Sequence, residues 1–238
     1  MKFEDWQILK FETLDSTNDK ALELSTDASG CYVVTAKTQT AGRGRRGRIW
    51  QSLQGNLFFS LLLEFDMKNI GELVIISAIS LYQSVKQINP CADLLFKWPN
   101  DVLLNGAKVC GILLEKAAEN YMIVGIGVNI EQSPKNNDLL YRATSLKEEG
   151  IDIKSEEFLT LYLHTFCNNI NILKNKGFES LRLFWNKNAK GIGTKIEIHQ
   201  EKGNLLGIFK GINEKAELLL EKNNEISRVT FGDVFYKE

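Results

Sequence analysis

Four arginines and three glycines occupy the seven positions Gly42 to Arg48, in a chain of 238 residues whose charges otherwise cancel: 29 Lys and Arg against 30 Asp and Glu, a net charge of −1. Glycine lets a backbone approach a ligand closely, and a guanidinium fork matches the paired oxygens of a carboxylate or phosphate. The chemistry expected there is anion binding. A basic run can also be no more than a solvated surface loop. The string fits the spacing GxGxxG as well, but a dinucleotide fingerprint opens a helix at its end, whereas Ile49-Trp50-Gln51-Ser52 leads into a strand-like run. An RNA-binding patch would need aromatic platforms among the arginines, and only Trp50 accompanies them.

Three other segments carry chemistry. Lys97-Trp98-Pro99-Asn100-Asp101 is followed by Lys108, with an Asn105-Gly106 hairpin signal between. Adjacent hairpin strands would bring Lys97, Asp101 and Lys108 to one side of a sheet. Unmatched lysines in an apolar sheet are costly unless an anion pairs with them; the alternative is that they reach water from strand edges. Gly125 and Gly127 alternate in a buried strand ending at Asn129, so both face one way and leave room for a flat ligand, unless they mark a bulge. Asp15-Ser16-Thr17-Asn18 sets polar side chains at a helix start, with Ser16 and Asp19 spaced as a capping box. His164 and His199 fall on a helix and on a late strand, outside these clusters.

The elements that must position them follow from periodicity. Alternation at Trp6, Ile8, Phe11 and Leu14 predicts a half-buried strand, then a helix over 18–25 and a buried strand over 31–37. Residues 42–48 read as a loop, 56–65 as a strand, and 70–88 as a core helix with apolar residues at Leu73, Ile76, Ile79, Val85 and Ile88. Short strands over 94–98, 101–104, 108–116 and 121–130 complete an antiparallel-rich α+β sheet. Residues 131–150 are polar and predict a mobile loop centred on Lys135-Asn136-Asn137-Asp138. Amphipathic helices follow over 155–174 and 177–185, and after Lys190 short strands spaced about ten residues apart predict a small barrel. The expected division is 1–190 and 191–238.

Composition limits the function classes. The balanced charge argues against a generally basic nucleic-acid binder. Cys31, Cys91, Cys110 and Cys167 form no CxxC pair or zinc spacing and predict reduced thiols. The N-terminal fifteen residues hold four acids and no apolar signal core, and the apolar run Leu73 to Tyr82 is broken by Ser77 and Ser80, far short of the ~20 residues of a membrane span. A soluble cytoplasmic protein with no membrane partner is expected.

Taken together, DSTN at 15–18, TAKTQTAGRGRRGRIW at 35–50, KWPNDVLLNGAKVCGILLE at 97–115 and GIGVN at 125–129 resemble the biotin–protein ligases, also called biotin–acetyl-CoA-carboxylase ligases. Phe231-Gly232-Asp233-Val234 resembles the end of that family's C-terminal domain. The resemblance implies a catalytic sheet like that of class II aminoacyl-tRNA synthetases with a small SH3-like barrel. It implies formation of biotinyl-5′-adenylate from biotin and MgATP, then transfer of biotin to one lysine of a biotin carboxyl carrier domain. A homodimer is compatible with it. Only 14 residues precede the DSTN segment, too few for the DNA-binding domain of the family's repressor forms, so no DNA partner is expected.

By the same resemblance, Ser16, Thr17, Asn18 and Gln39 would hold the ureido ring of biotin, with Gly42, Gly111 and Gly125 at the biotin site. Arg43, Gly44 and Arg45 would hold the biotin carboxylate and then the adenylate phosphate, and Lys108 would stabilise charge in the transition state, so that Lys108 and Arg45 carry catalysis. Asn129 and the Gly125/Gly127 shelf would take adenine. Arg46, Trp50, Lys97, Asn100 and Asp101 would lie on the ATP side, Asp101 either near Mg2+ or positioning the acceptor lysine. Lys237 stands where many relatives have arginine, keeping charge but losing the fork. The nearest enzyme alternative is a lipoate– or octanoate–protein ligase or transferase of the same fold, whose ligand would want an apolar rather than a polar head pocket. A non-catalytic anion- or RNA-binding module is the alternative from another class.

Overall fold

The computed structural model describes residues 1–65, 70–118, 120–135, 142–201 and 203–236. Strand β1 (Trp6–Leu14), helix α1 (Thr17–Leu24) and strand β2 (Cys31–Gln39) form a crossover unit, so β1 and β2 pair in parallel. Strands β3 (Leu57–Glu64), β4 (Leu94–Lys97), β5 (Asp101–Leu104), β6 (Ala107–Lys116) and β7 (Tyr121–Val128) join by antiparallel pairing, in the order β1-β2-β3-β7-β6-β5-β4. Short connections force the antiparallel hairpins β4–β5, β5–β6 and β6–β7, while the helix between β1 and β2 permits the parallel pair. Strands β8 (Lys195–Gln200), β9 (Gly203–Ile212), β10 (Leu218–Lys222), β11 (Glu225–Val229) and β12 (Asp233–Tyr236) make a second, antiparallel sheet in the order β11-β10-β9-β8-β12. The fold is the expected α+β type. Residues 190 and 191 lie between α4 (Glu179–Lys187) and β8, and the stacked and edge contacts of Trp185 with Phe96 and Phe209 make one continuous core on both sides of that turn.

The larger sheet uses its two faces differently, because side chains alternate along each strand. One face (Phe59, Leu61, Leu63, Cys110, Ile112, Val124, Ile126, Val128) packs under α2 (Ile70–Ile88) and α3 (Ser155–Lys176). Helix α2 has the predicted limits and buries Leu73, Ile76, Ile79 and Val85. Its buried Ser77, Ser80 and Ser84 return their hydroxyls to the carbonyl four residues back, at 2.7–2.8 Å, so small polar residues reach the helix interface already satisfied. Asn169 of α3 donates to Ser80 Oγ across that interface at 3.0 Å. The opposite face is covered at one end by α1, with Ala21, Val34, Leu62, Tyr121 and Ile123 packed together. At its other end the face is open to a cavity.

Three local expectations change. Ser16 caps α1, accepting from the Asn18 N–H at 3.2 Å, but Asp19 does not close a capping box; its carboxylate pairs with Arg43 at 2.6 Å. Ile8 of the edge strand β1 is exposed rather than half-buried. The described parts of 131–150 are tied down rather than loose: Asn56 Oδ1 accepts the N–H groups of Ile130, Glu131 and Gln132 at 3.0–3.1 Å, and Lys108 bridges Ala143. Asn136, Asn137 and Asp138 lie outside the described residues, as does Lys237.

Candidate functional site

The cavity on the open face has a volume of about 550 Å³. Its floor is β6 and β7, where Gly111 pairs with Gly127 and Leu113 with Gly125. The absence of Cβ atoms is used by the protein's own side chains. A Cβ at Gly125 would lie 2.2 Å from Asn18 Oδ1, and one at Gly127 would lie 2.3 Å from the Trp50 ring. Trp50 lies flat on Gly127 and Gly111, with Lys108 Nζ 5.3 Å from its ring centroid. The part of the glycine shelf at Gly111 and Gly127 is therefore occupied by the protein's own indole. Trp50 Nε1 is buried against Gly127 without a hydrogen-bond partner.

The polar end is built on the N-terminus of α1. Ser16, Thr17 and Asn18 are each 4% exposed. Gln39, at the end of β2, accepts from the Thr17 N–H at 2.8 Å and lies 3.2 Å from Thr17 Oγ1. Ser60 of β3, fully buried, reaches Thr17 Oγ1 at 2.8 Å and Asn18 Oδ1 at 2.5 Å. Asn18 Nδ2 donates to Glu115 at 2.6 Å.

The arginine segment is a small hairpin laid over the cavity. Trp50 N–H donates to the Gly42 carbonyl at 2.9 Å and Gly44 N–H to that of Arg48 at 2.7 Å. At its tip Arg46 takes φ 56° beside Gly47 at φ 71°. The four guanidinium groups are placed differently. Arg43 is matched by Asp19 and Glu115. Arg46 and Arg48 both bond Asp233 of β12, Arg46 at 3.0 Å. Burial pushes the Asp233 carboxyl up, but the bond from Arg48 and the neighbouring arginine charges outweigh it and hold it below the ordinary range. Arg45 alone of the four has no ion pair among the described residues; its Nη1 donates to Asn100 Oδ1 at 3.2 Å, and burial lowers its pKa. A desolvated guanidinium without a carboxylate is a site for an anion.

The second cationic group lies at the β4–β5–β6 end. Lys108 Nζ is 2.7 Å from Asp101 Oδ1 and Lys97 Nζ is 4.0 Å from Asp101 Oδ2, so the three converge as expected. The Lys108 contact is an ion pair by distance only, since its angle leaves Asp101 Oδ1 without a hydrogen bond. Burial lowers the Lys97 ammonium to about 8 against the pull of Asp101. Asp101 lies between two ammonium groups that already take its charge, and no cluster of three metal-ligating side chains occurs among the described residues, so the side chains here make no all-protein magnesium cage. Asn100 Nδ2 donates to the Ile112 carbonyl at 2.7 Å, and Asn129 Nδ2 to that of Thr144 at 2.9 Å, which fixes both amides.

Of the residues expected at the site, Ser16, Thr17, Asn18, Gln39, Arg43, Gly44, Arg45, Trp50, Lys97, Asn100, Asp101, Lys108, Gly111, Gly125 and Asn129 line this cavity. Gly42 and Arg46 do not: Gly42 closes the base of the hairpin, where a Cβ would meet the Trp50 carbonyl at 2.7 Å, and Arg46 turns to Asp233 and the His199 carbonyl. His164 stacks on Phe3 and His199 packs on Phe235, neither at the cavity. Sequence reasoning missed Asp233, Ser60 and Glu115. Ser60 had a signal, being the one polar residue in Leu57-Phe58-Phe59-Ser60-Leu61-Leu62-Leu63.

Comparison with known proteins agrees with this geometry. Residues 10–130 match the Biotin/lipoate A/B protein ligase family. The chain is 36% identical to the biotin–[acetyl-CoA-carboxylase] ligase of Paracoccus denitrificans, over 93% of this chain and 97% of that protein. It is 33% identical to the bifunctional ligase/repressor BirA of Bacillus subtilis, over 95% of this chain and 73% of that one. Among solved structures it is similar to the biotin protein ligase from Aquifex aeolicus in complex with biotin and ATP, with a TM-score of 0.85 and 29% identity over 97% of this chain and 98% of that one.

Proposed function

Because the chain belongs to the Biotin/lipoate A/B protein ligase family, we propose that it is a biotin–protein ligase, which activates biotin with MgATP to biotinyl-5′-AMP and pyrophosphate and then transfers biotin to a lysine of a biotin carboxyl carrier domain. The observation that carries this reading is a single cavity with a neutral hydrogen-bonding head at Ser16, Thr17 and Gln39 and, at its opposite side, Arg45 without a carboxylate partner beside the Lys97–Asp101–Lys108 group. A urea ring suits the first and a carboxylate meeting a phosphate suits the second. A lipoyl or octanoyl ligand would leave the polar head unpaired, which is costly. The Paracoccus denitrificans relative and the Aquifex aeolicus structure are named as biotin ligases, which favours the same choice.

In the first step a biotin carboxylate oxygen attacks the α-phosphorus, and the bond to the bridging oxygen breaks as pyrophosphate leaves. Two anions must meet, so catalysis is largely charge neutralisation and alignment. Arg45, held by Asn100, faces the adenylate phosphate, and Lys108 faces the developing charge. Lys97 and Asn100 lie on the nucleotide side. Magnesium arrives with the triphosphate. In the second step the carrier lysine attacks the acyl carbon, AMP leaves with the electron pair, and the amine loses a proton.

The test is mass spectrometry of a purified carrier domain after incubation with the protein, MgATP and biotin. One biotinyl group gained on a lysine is expected. A gain with lipoate and none with biotin would overturn the reading. Lys108→Ala should slow adenylate formation by more than about tenfold without unfolding the chain.

A further inference from the structure

The head of the cavity contains a hydrogen-bond relay whose direction is set from outside the cavity. Glu115 does not line the cavity. A carboxylate offers only acceptors, so the Asn18 atom 2.6 Å from it must be Nδ2, and Oδ1 must turn to Ser60. Ser60 has a single proton, and its contact with the acceptor-only Asn18 Oδ1 is the shorter, 2.5 Å against 2.8 Å to Thr17 Oγ1. That proton goes to Asn18. The Thr17 hydroxyl must then give its own proton inward, to Ser60 Oγ or to Gln39 Oε1 at 3.2 Å, and it meets the cavity as an acceptor. Gln39 is fixed independently, because the Thr17 N–H can only donate to its Oε1, leaving Nε2 as the end available to a ligand.

We propose that Glu115 is a positioning residue that fixes the donor and acceptor polarity of the head pocket through Asn18, Ser60 and Thr17. The proposal rests on the biotin reading, since it assigns the acceptor on Thr17 to a ureido N–H. Gly125 is part of the device, because a Cβ there would lie 2.2 Å from Asn18 Oδ1 and displace the first link. Arg43 donates to the same carboxylate at 3.2 and 3.3 Å, so the arginine hairpin also touches the origin of the relay. Every relay bond but the first is between neutral groups that could run in either direction; the carboxylate removes the choice. Replaced by an amide, position 115 could donate to Asn18 and the Asn18 amide could flip; Ser60 would then give its proton to Thr17 Oγ1, and the Thr17 proton, having lost Ser60 as an acceptor, would be shared between Gln39 Oε1 and the cavity.

The experiment compares biotin with its two cyclic carbamate analogues, in each of which one ring N–H is replaced by oxygen, by calorimetric Kd on the intact protein. Wild type should prefer biotin over at least one analogue by more than about tenfold. Glu115→Gln should cut that preference at least about fivefold, because Thr17 can then donate to the ring oxygen. General damage would weaken both ligands equally and leave the ratio unchanged, and that result in a folded variant overturns the proposal. Ser60→Ala breaks the relay with Glu115 in place and should cut the preference in the same way, so it decides the matter if Glu115→Gln does not fold. Failure of wild type to bind biotin at all would instead strike the reading of the function.

Discussion

Lys97 makes the site's electrostatics measurable. Its side chain is buried beside Asp101 and its pKa falls from 10.5 to about 8, burial being the larger cause. That depression corresponds to about 3 kcal/mol disfavouring the charged form in the folded chain. The folded state releases the proton near pH 8 while the unfolded chain holds it to about 10.5, so below pH 8 the penalty is complete. Between those values the unfolded chain binds more protons and stability must rise with pH. Relative to Lys97→Met, wild type should therefore gain stability across that window, by at most about 3 kcal/mol. If the proposed site is right, binding of MgATP adds negative charge beside Lys97 and draws the proton back. At pH 8 about half of Lys97 is neutral, so binding should take up about half a proton, and about a tenth at pH 7. The assay is titration calorimetry in two buffers of different ionisation heat at each pH, on wild type and Lys97→Met. Buffer-independent heats at pH 8, or the same uptake in the variant, would refute the placement of Lys97 against the phosphates.

Other outcomes follow from the hairpin and the shelf. Arg45→Ala should release biotinyl-5′-AMP about ten- to a hundredfold faster, the worth of one charge-assisted bond, with thermal stability almost unchanged; an unaltered release rate would count against the clamp. Asp233→Asn keeps the shape but loses both arginine ion pairs, so hydrogen exchange of the amides in 42–50 should accelerate while the core strands keep their protection. Gly127→Ala places a methyl 2.3 Å from the indole and should push Trp50 off the shelf, seen as a shifted tryptophan emission and an ATP KM raised about tenfold or more.

Much of the frame was legible because its signals are local. The period of α2, the Asn105-Gly106 hairpin and the alternation of Gly125 and Gly127 each act within a few residues, and all appear in the structure. The convergence of Lys97, Asp101 and Lys108 was legible for the same reason, since two short hairpins fix it. Partner choice was not. Asp19 looked like the end of a capping box, and a closer competitor, Arg43, took it from 24 positions away. The arginine run reads as one block of charge, yet its members divide between Asp19, Glu115, Asp233 and the cavity, a partition decided by strands far apart in sequence. Asp233 stood in a recognisable motif, but its bond to the hairpin depends on how β12 lies against it.

The two-faced use of the large sheet has an evolutionary consequence. Along β6 and β7 the residues facing the cavity (111, 113, 125, 127) alternate with those in the core under the helices (110, 112, 124, 126), of which Ile112 and Ile126 also reach the cavity lining. Neighbouring codons are thus under different selection: one set for what the protein recognises, the other for whether it accumulates at all. In a library scored separately for abundance and for activity, tolerance should oscillate with a period of two along these strands. A lineage could exchange the head group of its substrate by changing one set while the other stood still. A scaffold divided in this way is suited to a family whose members handle both biotin and lipoate.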